Sequence, residues 1–293
     1  MNRRAVFFVY LYMKYLITTV FLVLVLWGLT LGSEPAKPVE FPDKPANAKG
    51  NKTPTPEIPE PQVITMSQGE KVYYKAGVVE KIEIEGAIAN PTMPLEFVAC
   101  ADGGKAYESL VVLKCKPWNV QLALILAGLK EGGGPKSFGD TAKPTGDLVL
   151  VYISWEKDNK TVSYRVEELL IDSGTKKPLD LVGWSFSGSM FVDETDYDTG
   201  KPTGKKIYLA DIEKNIIASW HDPAAILNIP TQGNLYLPYK ELLPPAGTKI
   251  IMTIRPPNPK ELEELKKVNA VVAEREKKLK EEREKQEKED KTK

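Results

Sequence analysis

The sequence predicts an α+β fold, a β-rich domain with one central buried helix, preceded by an N-terminal transmembrane or signal helix and followed by a C-terminal charged helix. Three observations lead there. Between residues 62 and 256, runs rich in β-branched and aromatic residues read as strands. Turn residues separate these runs. One uncharged stretch, Val120–Leu129, follows Pro117 and is too short to cross a bilayer, so it reads as a helix covered by protein on every side.

The elements follow in chain order. Residues 1–33 place Arg3, Arg4 and Lys14 before the uncharged run Tyr15–Leu31, with Glu34 after it. That order predicts an N-inside, C-outside membrane anchor, or a signal peptide starting at Met13 and cut near Gly32 or Ser33. Residues 34–61 combine frequent Pro with few large apolar side chains and read as a semi-extended linker. Strands are expected at Val72–Lys75, Lys81–Ile88, Asp147–Trp155, Thr161–Val166, Gly183–Phe186, Lys206–Leu209, Asn215–Trp220 and Lys249–Ile254, with short helices at Val166–Ile171 and Pro223–Leu227. Asp102-Gly103, between the apolar runs Leu95–Cys100 and Tyr107–Cys115, has the composition of a two-residue hairpin loop. The central helix then starts at Pro117, where a missing N–H costs nothing, and is expected to stop at Gly132-Gly133-Gly134. Leu122, Leu124, Ile125, Leu126 and Leu129 are its core candidates. Residues 257–293 are almost entirely charged, with Leu265, Val272 and Leu279 seven apart and Asn269 and Glu276 between them. This reads as a solvated helix or frayed tail rather than a coiled coil, and as a surface for a protein partner.

Composition narrows the chemistry. Forty basic residues balance forty acidic ones, so no net field draws the chain to nucleic acid. Two Cys and one His without paired spacing do not make a four-ligand zinc site. In the hairpin register Cys115 lies about ten residues, roughly 33 Å, beyond the partner of Cys100, which predicts two free, mostly buried thiols. Cys100, Glu108 and Ser109 are the candidate catalytic residues, because two nucleophile-capable groups and an acid gather near one turn. The plainer reading of these residues is a satisfied polar pair beside a buried Cys. Asp193, Asp196 and Asp198 are candidate calcium ligands in an acidic loop that lacks the spacing of a calcium-binding loop and reads more simply as a hairpin tip. His221 stands between Trp220 and Asp222, with Asp222-Pro223 suited to opening a helix. Trp118, Trp155, Trp184 and Trp220 are expected in the core, with a groove as the alternative. Gly132–Gly134 followed by Pro135-Lys136-Ser137 lacks the flanking strand and helix of a phosphate loop. No cofactor is implied.

Ala99-Cys100, Gly103, Glu108-Ser109-Leu110, Pro117, Val120, Ala123-Leu124 and Leu126–Gly128 together resemble the YdjY-like family of exported bacterial domains, as do Thr175–Pro178, Gly183–Ser189 and Tyr208–Asp211. The resemblance spans about residues 66 to 256. It implies an envelope location and assigns no activity. Members of the family often carry His where this chain has Tyr107 and Gln121, so any metal or acid–base role of those His residues is absent here. The sequence reading is therefore an exported, membrane-anchored module facing the periplasm or extracytoplasmic space, with a binding or structural role and no catalysis. The alternative is an envelope hydrolase using Ser109 or Cys100 with Glu108.

Overall fold

A computed structural model describes residues 62–292, so the anchor and linker expected at residues 1–61 lie outside the described residues. Along the chain the strands are β1 (Gln62–Thr65), β2 (Lys71–Lys75), β3 (Val78–Ile88), β4 (Phe97–Ala101), β5 (Ser109–Leu113), β6 (Leu148–Lys157), β7 (Lys160–Arg165) and β8 (Leu170–Asp172). They continue with β9 (Trp184–Phe186), β10 (Phe191–Thr195), β11 (Pro202–Tyr208), β12 (Asn215–Ala218), β13 (Leu227–Asn228), β14 (Tyr236–Pro238) and β15 (Lys249–Arg255). The helices are α1 (Pro117–Leu126), α2 (Leu209–Glu213) and α3 (Pro259–Thr292).

Eight strands close into a barrel in the order β3-β15-β6-β9-β13-β12-β4-β5, with β5 returning to pair with β3. The core follows from register. Ile82 faces Ile254 and Ile84 faces Met252 across β3 and β15, while Val151 and Ile153 of β6 oppose the same two residues from the other side. All six are buried. Burying each such side chain contributes about 1.5–3 kcal/mol, so these three strands anchor the fold. β7 extends β6 through Asp158-Asn159, both at positive φ, the two-residue hairpin geometry.

At Asp102-Gly103 the hairpin expectation is overturned: β4 and β5 are parallel, with Phe97 beside Ser109 and Ala101 beside Leu113. Gly103 (φ +80°) reverses the chain, and Gly104 lies where a Cβ would sit 2.8–3.0 Å from Lys214, Ala101 and Cys100. The chain therefore folds down over β4 and returns to its start. Seven residues suffice because a five-residue strand is only about 13 Å long. Cys115 then lies three residues past Val112, the partner of Cys100, rather than ten past it. The distance argument fails, although both thiols are free, Cys100 buried and Cys115 half-buried.

The helix is also shorter than expected. Leu129 N–H donates to Leu124 O and Gly128 N–H to Ile125 O, with Gly128 at φ +78°, so α1 ends in a Schellman cap at Gly128 rather than at the triple glycine. Its start is capped from elsewhere. Glu70 accepts Lys116 N–H at 2.7 Å and Asp211 accepts Trp118 N–H at 2.9 Å. Val120, Ala123 and Leu124 are buried and Leu122, Ile125 and Leu129 partly so, but Leu126 is 49% exposed. The helix carries no charge yet is buried on one face, and that face includes Asn119 and Gln121 as well as Val120, Ala123 and Leu124. Residues Pro223–Leu227, expected as a helix, form a turn leading into β13. Val166–Leu169 is a 3₁₀ turn, and α2 follows β11 where only strand was expected.

The C-terminal helix is not a lone solvated rod. Asn258 Oδ1 accepts Glu261 N–H and Glu261 accepts Asn258 N–H, a capping box reinforced by Arg255, which donates to both Glu261 oxygens at 2.6 and 2.8 Å. Leu265 and Val272 are then buried against the domain. Asn269 donates to Val182 O, Arg275 pairs with Asp180, and Glu276 accepts Gln232 N–H and Lys143. No helix among the described residues is long and apolar enough to cross a membrane.

Candidate functional site

Among the described residues, two places are candidates for a site. The first lies at the β4–β5 crossover, where the parallel register sets Glu96 beside Glu108, with Glu96 N–H donating to Glu108 O. Burial, followed by the Glu108 charge, pushes the Glu96 carboxyl above its ordinary range. Lys105 lies 3.8 Å from Glu108 and over the Phe97 and Phe138 rings at 5.2 and 5.7 Å, so the crossover supplies its own cation. Asp222 is buried and raised by desolvation, with Ala224 N–H and Asn215 Nδ2 on its oxygens.

The sequence candidates are here but not aligned for attack. Ser109 is fully buried and its hydroxyl donates to Lys105 O at 2.8 Å. Cys100 is likewise buried, and burial pushes its thiol up. A nucleophile needs a base on its proton. The Glu108 carboxylate is engaged with Lys105 and Glu96, and His221 is held elsewhere, with Nδ1 2.6 Å from Asp140 O and Nε2 2.8 Å from Thr231 O. Asp222 caps a turn through Ala224 N–H rather than opening a helix.

The second place is a cleft of about 710 Å³ between α3, the segment Asp172–Val182 and the segment Thr231–Tyr236, a volume within the range of small-molecule sites. Trp220 lines it and is half-buried. The other Trp residues do not: Trp155 stacks on Tyr164, Trp184 is buried, and Trp118 packs against Phe191 and Tyr208. Asp172 forms one wall, with burial raising its carboxyl and hydrogen bonds from Thr175, Asn234 and Gly174 outweighing that, so it stays below its ordinary range.

A family model described as YdjY domain matches residues 67–255. The chain belongs to the YdjY domain family. No curated protein and no solved structure matches it. The YdjY domain ends at β15, so the α3 wall of the cleft, with Val272, Arg275, Leu279 and Arg283, lies beyond it.

Within the YdjY domain the two positions where the resemblance leads one to expect His, Tyr107 and Gln121, have different surroundings. Tyr107 is 72% exposed. Gln121 is buried and held at both ends of its amide, its Oε1 accepting Tyr208 OH at 2.5 Å and Ser189 N–H at 3.3 Å while Nε2 donates to Glu131 at 3.0 Å. Burial pushes the Tyr208 hydroxyl up, so it remains a donor to Gln121.

The segment Asp193–Lys206 contains the turn that joins β10 and β11. Asp196 accepts the Thr199 N–H and hydroxyl, which hold its carboxyl below the ordinary range, and Asp193 pairs with Lys206. These are the bonds of a hairpin tip. Among the described residues no three His, Cys, Asp or Glu side chains converge to hold a metal ion. At Gly132 a Cβ would meet Thr145 and Gly146 backbone at 2.2–2.3 Å, so the triple glycine serves a close crossing of two chains.

Sequence reading missed Glu96 and the cleft. Glu96 carries no local signal, because its partner is set by the crossover. The cleft walls come from four separated segments, and only the seven-residue spacing of Leu265, Val272 and Leu279 hinted that α3 has a face to bury.

Proposed function

We propose that this YdjY domain is a non-catalytic binding module held outside the cytosol by the apolar run at residues 15–31. The cleft between α3 and the domain is its binding surface. The cleft carries this reading, because it is concave, mixes aromatic and charged walls, and draws on both the YdjY domain and the helix that follows it. The crossover supports it from the other side, since Ser109 and Cys100 are buried without an aligned base. The N-terminal basic and apolar residues support the location.

Two measurements test the module. Protease added to intact cells with a permeabilised outer layer should digest residues 62–292, whereas protection equal to that of a cytosolic marker rejects the location. A panel of ester, amide and glycoside substrates should show no turnover that Ser109→Ala or Cys100→Ala removes. Site-dependent turnover rejects the binding-only reading in favour of an envelope hydrolase.

A further inference from the structure

The cleft's charges are unevenly committed. Asp172 accepts Gly174 and Thr175 N–H and the Asn234 amide, Asp180 pairs with Arg275, and Glu276 accepts Gln232 N–H and Lys143. Every carboxylate lining the cleft therefore has a protein partner. Lys177 and Arg283 also line it, are exposed, and make no ion pair among the described residues. What the cleft has left to offer a ligand is positive.

Several backbone N–H groups of the walls are committed as well. Besides those on Asp172 and Glu276, Asn234 N–H donates to Ser219 O and Tyr236 N–H to Leu95 O. An extended peptide binds through main-chain hydrogen bonds to an open edge, and this cleft supplies few. The Gln232 amide and the Thr231 hydroxyl remain, in the same cleft as the indole of Trp220. A planar amide and a hydroxyl in a cleft with an aromatic surface suit a ligand with hydroxyl groups on its edge and C–H groups on its face.

We infer that the cleft binds an acidic oligosaccharide, its sugar rings against Trp220 and its carboxylate or phosphate on Lys177 and Arg283. This rests on the binding-module reading above. The two cations stand on different walls, one on the Asp172–Val182 segment and one on α3, so the ligand bridges the YdjY domain and the helix. About 710 Å³ is more than a bare inorganic anion fills, which is why a saccharide rather than a phosphate ion is assigned.

The test is calorimetric titration of the full chain in detergent with trigalacturonate, its methyl ester, a trisaccharide phosphate and tripolyphosphate. At least one of the two acidic saccharides should bind saturably, and the tighter of them identifies the acid. Lys177→Gln and Arg283→Gln should each weaken binding about fivefold to tenfold, and added salt should weaken it further. Both side chains are exposed and unpaired, so these variants should fold as the parent does. Trp220→Leu should weaken either saccharide by about tenfold.

Absence of saturable binding by either acidic saccharide overturns the inference. So does equal affinity for the methyl ester, or for tripolyphosphate. Full-strength saccharide binding by the Lys177→Gln/Arg283→Gln double variant removes the cleft assignment while leaving a binding module elsewhere on the chain. Turnover dependent on Ser109 or Cys100 rejects the module itself and leaves the titrations unchanged.

Discussion

Glu70 is the side chain whose replacement most directly tests how α1 is held. It is fully buried in the turn before β2, and four hydrogen bonds converge on it. Oε1 accepts Lys116 N–H at 2.7 Å and Asn119 Nδ2 at 3.0 Å, and Oε2 accepts Gln68 N–H and Asn119 Nδ2, each at 3.1 Å. Glu70→Gln keeps the shape and replaces one oxygen by an NH₂ group. Whichever way the amide turns, its nitrogen faces two donors. Asn119 can still use the remaining oxygen, so one backbone N–H loses its partner and a donor is pressed against a donor. A buried unsatisfied donor costs about 1–3 kcal/mol, which with the repulsion gives an expected loss of about 2–4 kcal/mol, a large share of the stability of a typical domain. Urea unfolding should show a lower midpoint at unchanged slope. Asn119→Ala and the double variant complete a cycle, in which the two side chains should couple by at least about 1 kcal/mol. A Glu70→Gln midpoint equal to the parent's, or strictly additive losses, refutes the cap.

The remaining predictions concern the helix faces, the thiols and pH. Leu124→Asp should unfold the domain, since Leu124 is fully buried and an unpaired buried charge costs several kcal/mol, whereas Leu126→Asp, on the exposed face, should move the melting midpoint by no more than about 0.5 kcal/mol equivalent. Leu265→Ala should cost about 2–3 kcal/mol, and in limited proteolysis α3 should be cut before the barrel. Cys100 should resist a thiol reagent in the native protein and react in urea, because it is inaccessible and burial raises its thiol. Glu261 is lowered from 4.5 to about 2, first by the Arg255 hydrogen bonds. A carboxyl with a folded value below its unfolded one stabilises fully above its ordinary range and loses that contribution as pH falls. Glu261→Gln should therefore cost about 1–2 kcal/mol near pH 7 and almost nothing near about pH 2, as read from unfolding curves at both.

Much of the barrel could be read locally. Ile82 and Ile84 stand between charged residues, and Ile250, Met252 and Ile254 recur at every second position, and a period of two states both strand and buried face without reference to any partner. Pairing is another matter. That β3 turns from β15 to β5 and closes the barrel depends on contacts between segments far apart in sequence, which no local pattern encodes. Asp102-Gly103 was misleading because its composition suits a hairpin loop, while the deciding residue is Gly104, whose missing side chain matters only once Lys214 packs on it. The seven-residue stripe on α3 was visible, but the same stripe serves a helix docked on its own domain and one paired with another helix. Of the site, Glu108 and Ser109 were visible as residues. Their lack of an aligned base appears only when Lys105 and Glu96 are in place.

The cleft depends on a junction that does not touch it. A rise of about 1.5 Å per residue puts Arg283 roughly 33 Å along α3 from Glu261, so a small change in the angle at which the helix leaves β15 would carry Arg283 several ångströms from Lys177. Arg255 in the last strand fixes that angle by gripping both oxygens of Glu261, the same carboxylate that caps the helix. Leu265, Asn269, Val272 and Glu276 then follow at steps of four, three and four residues, each on the same face and each meeting the domain. The direction of the helix is therefore determined at its first turn and maintained turn by turn to the cleft. Although the YdjY domain ends at Arg255, the residue that closes it also aims the helix that completes the cleft.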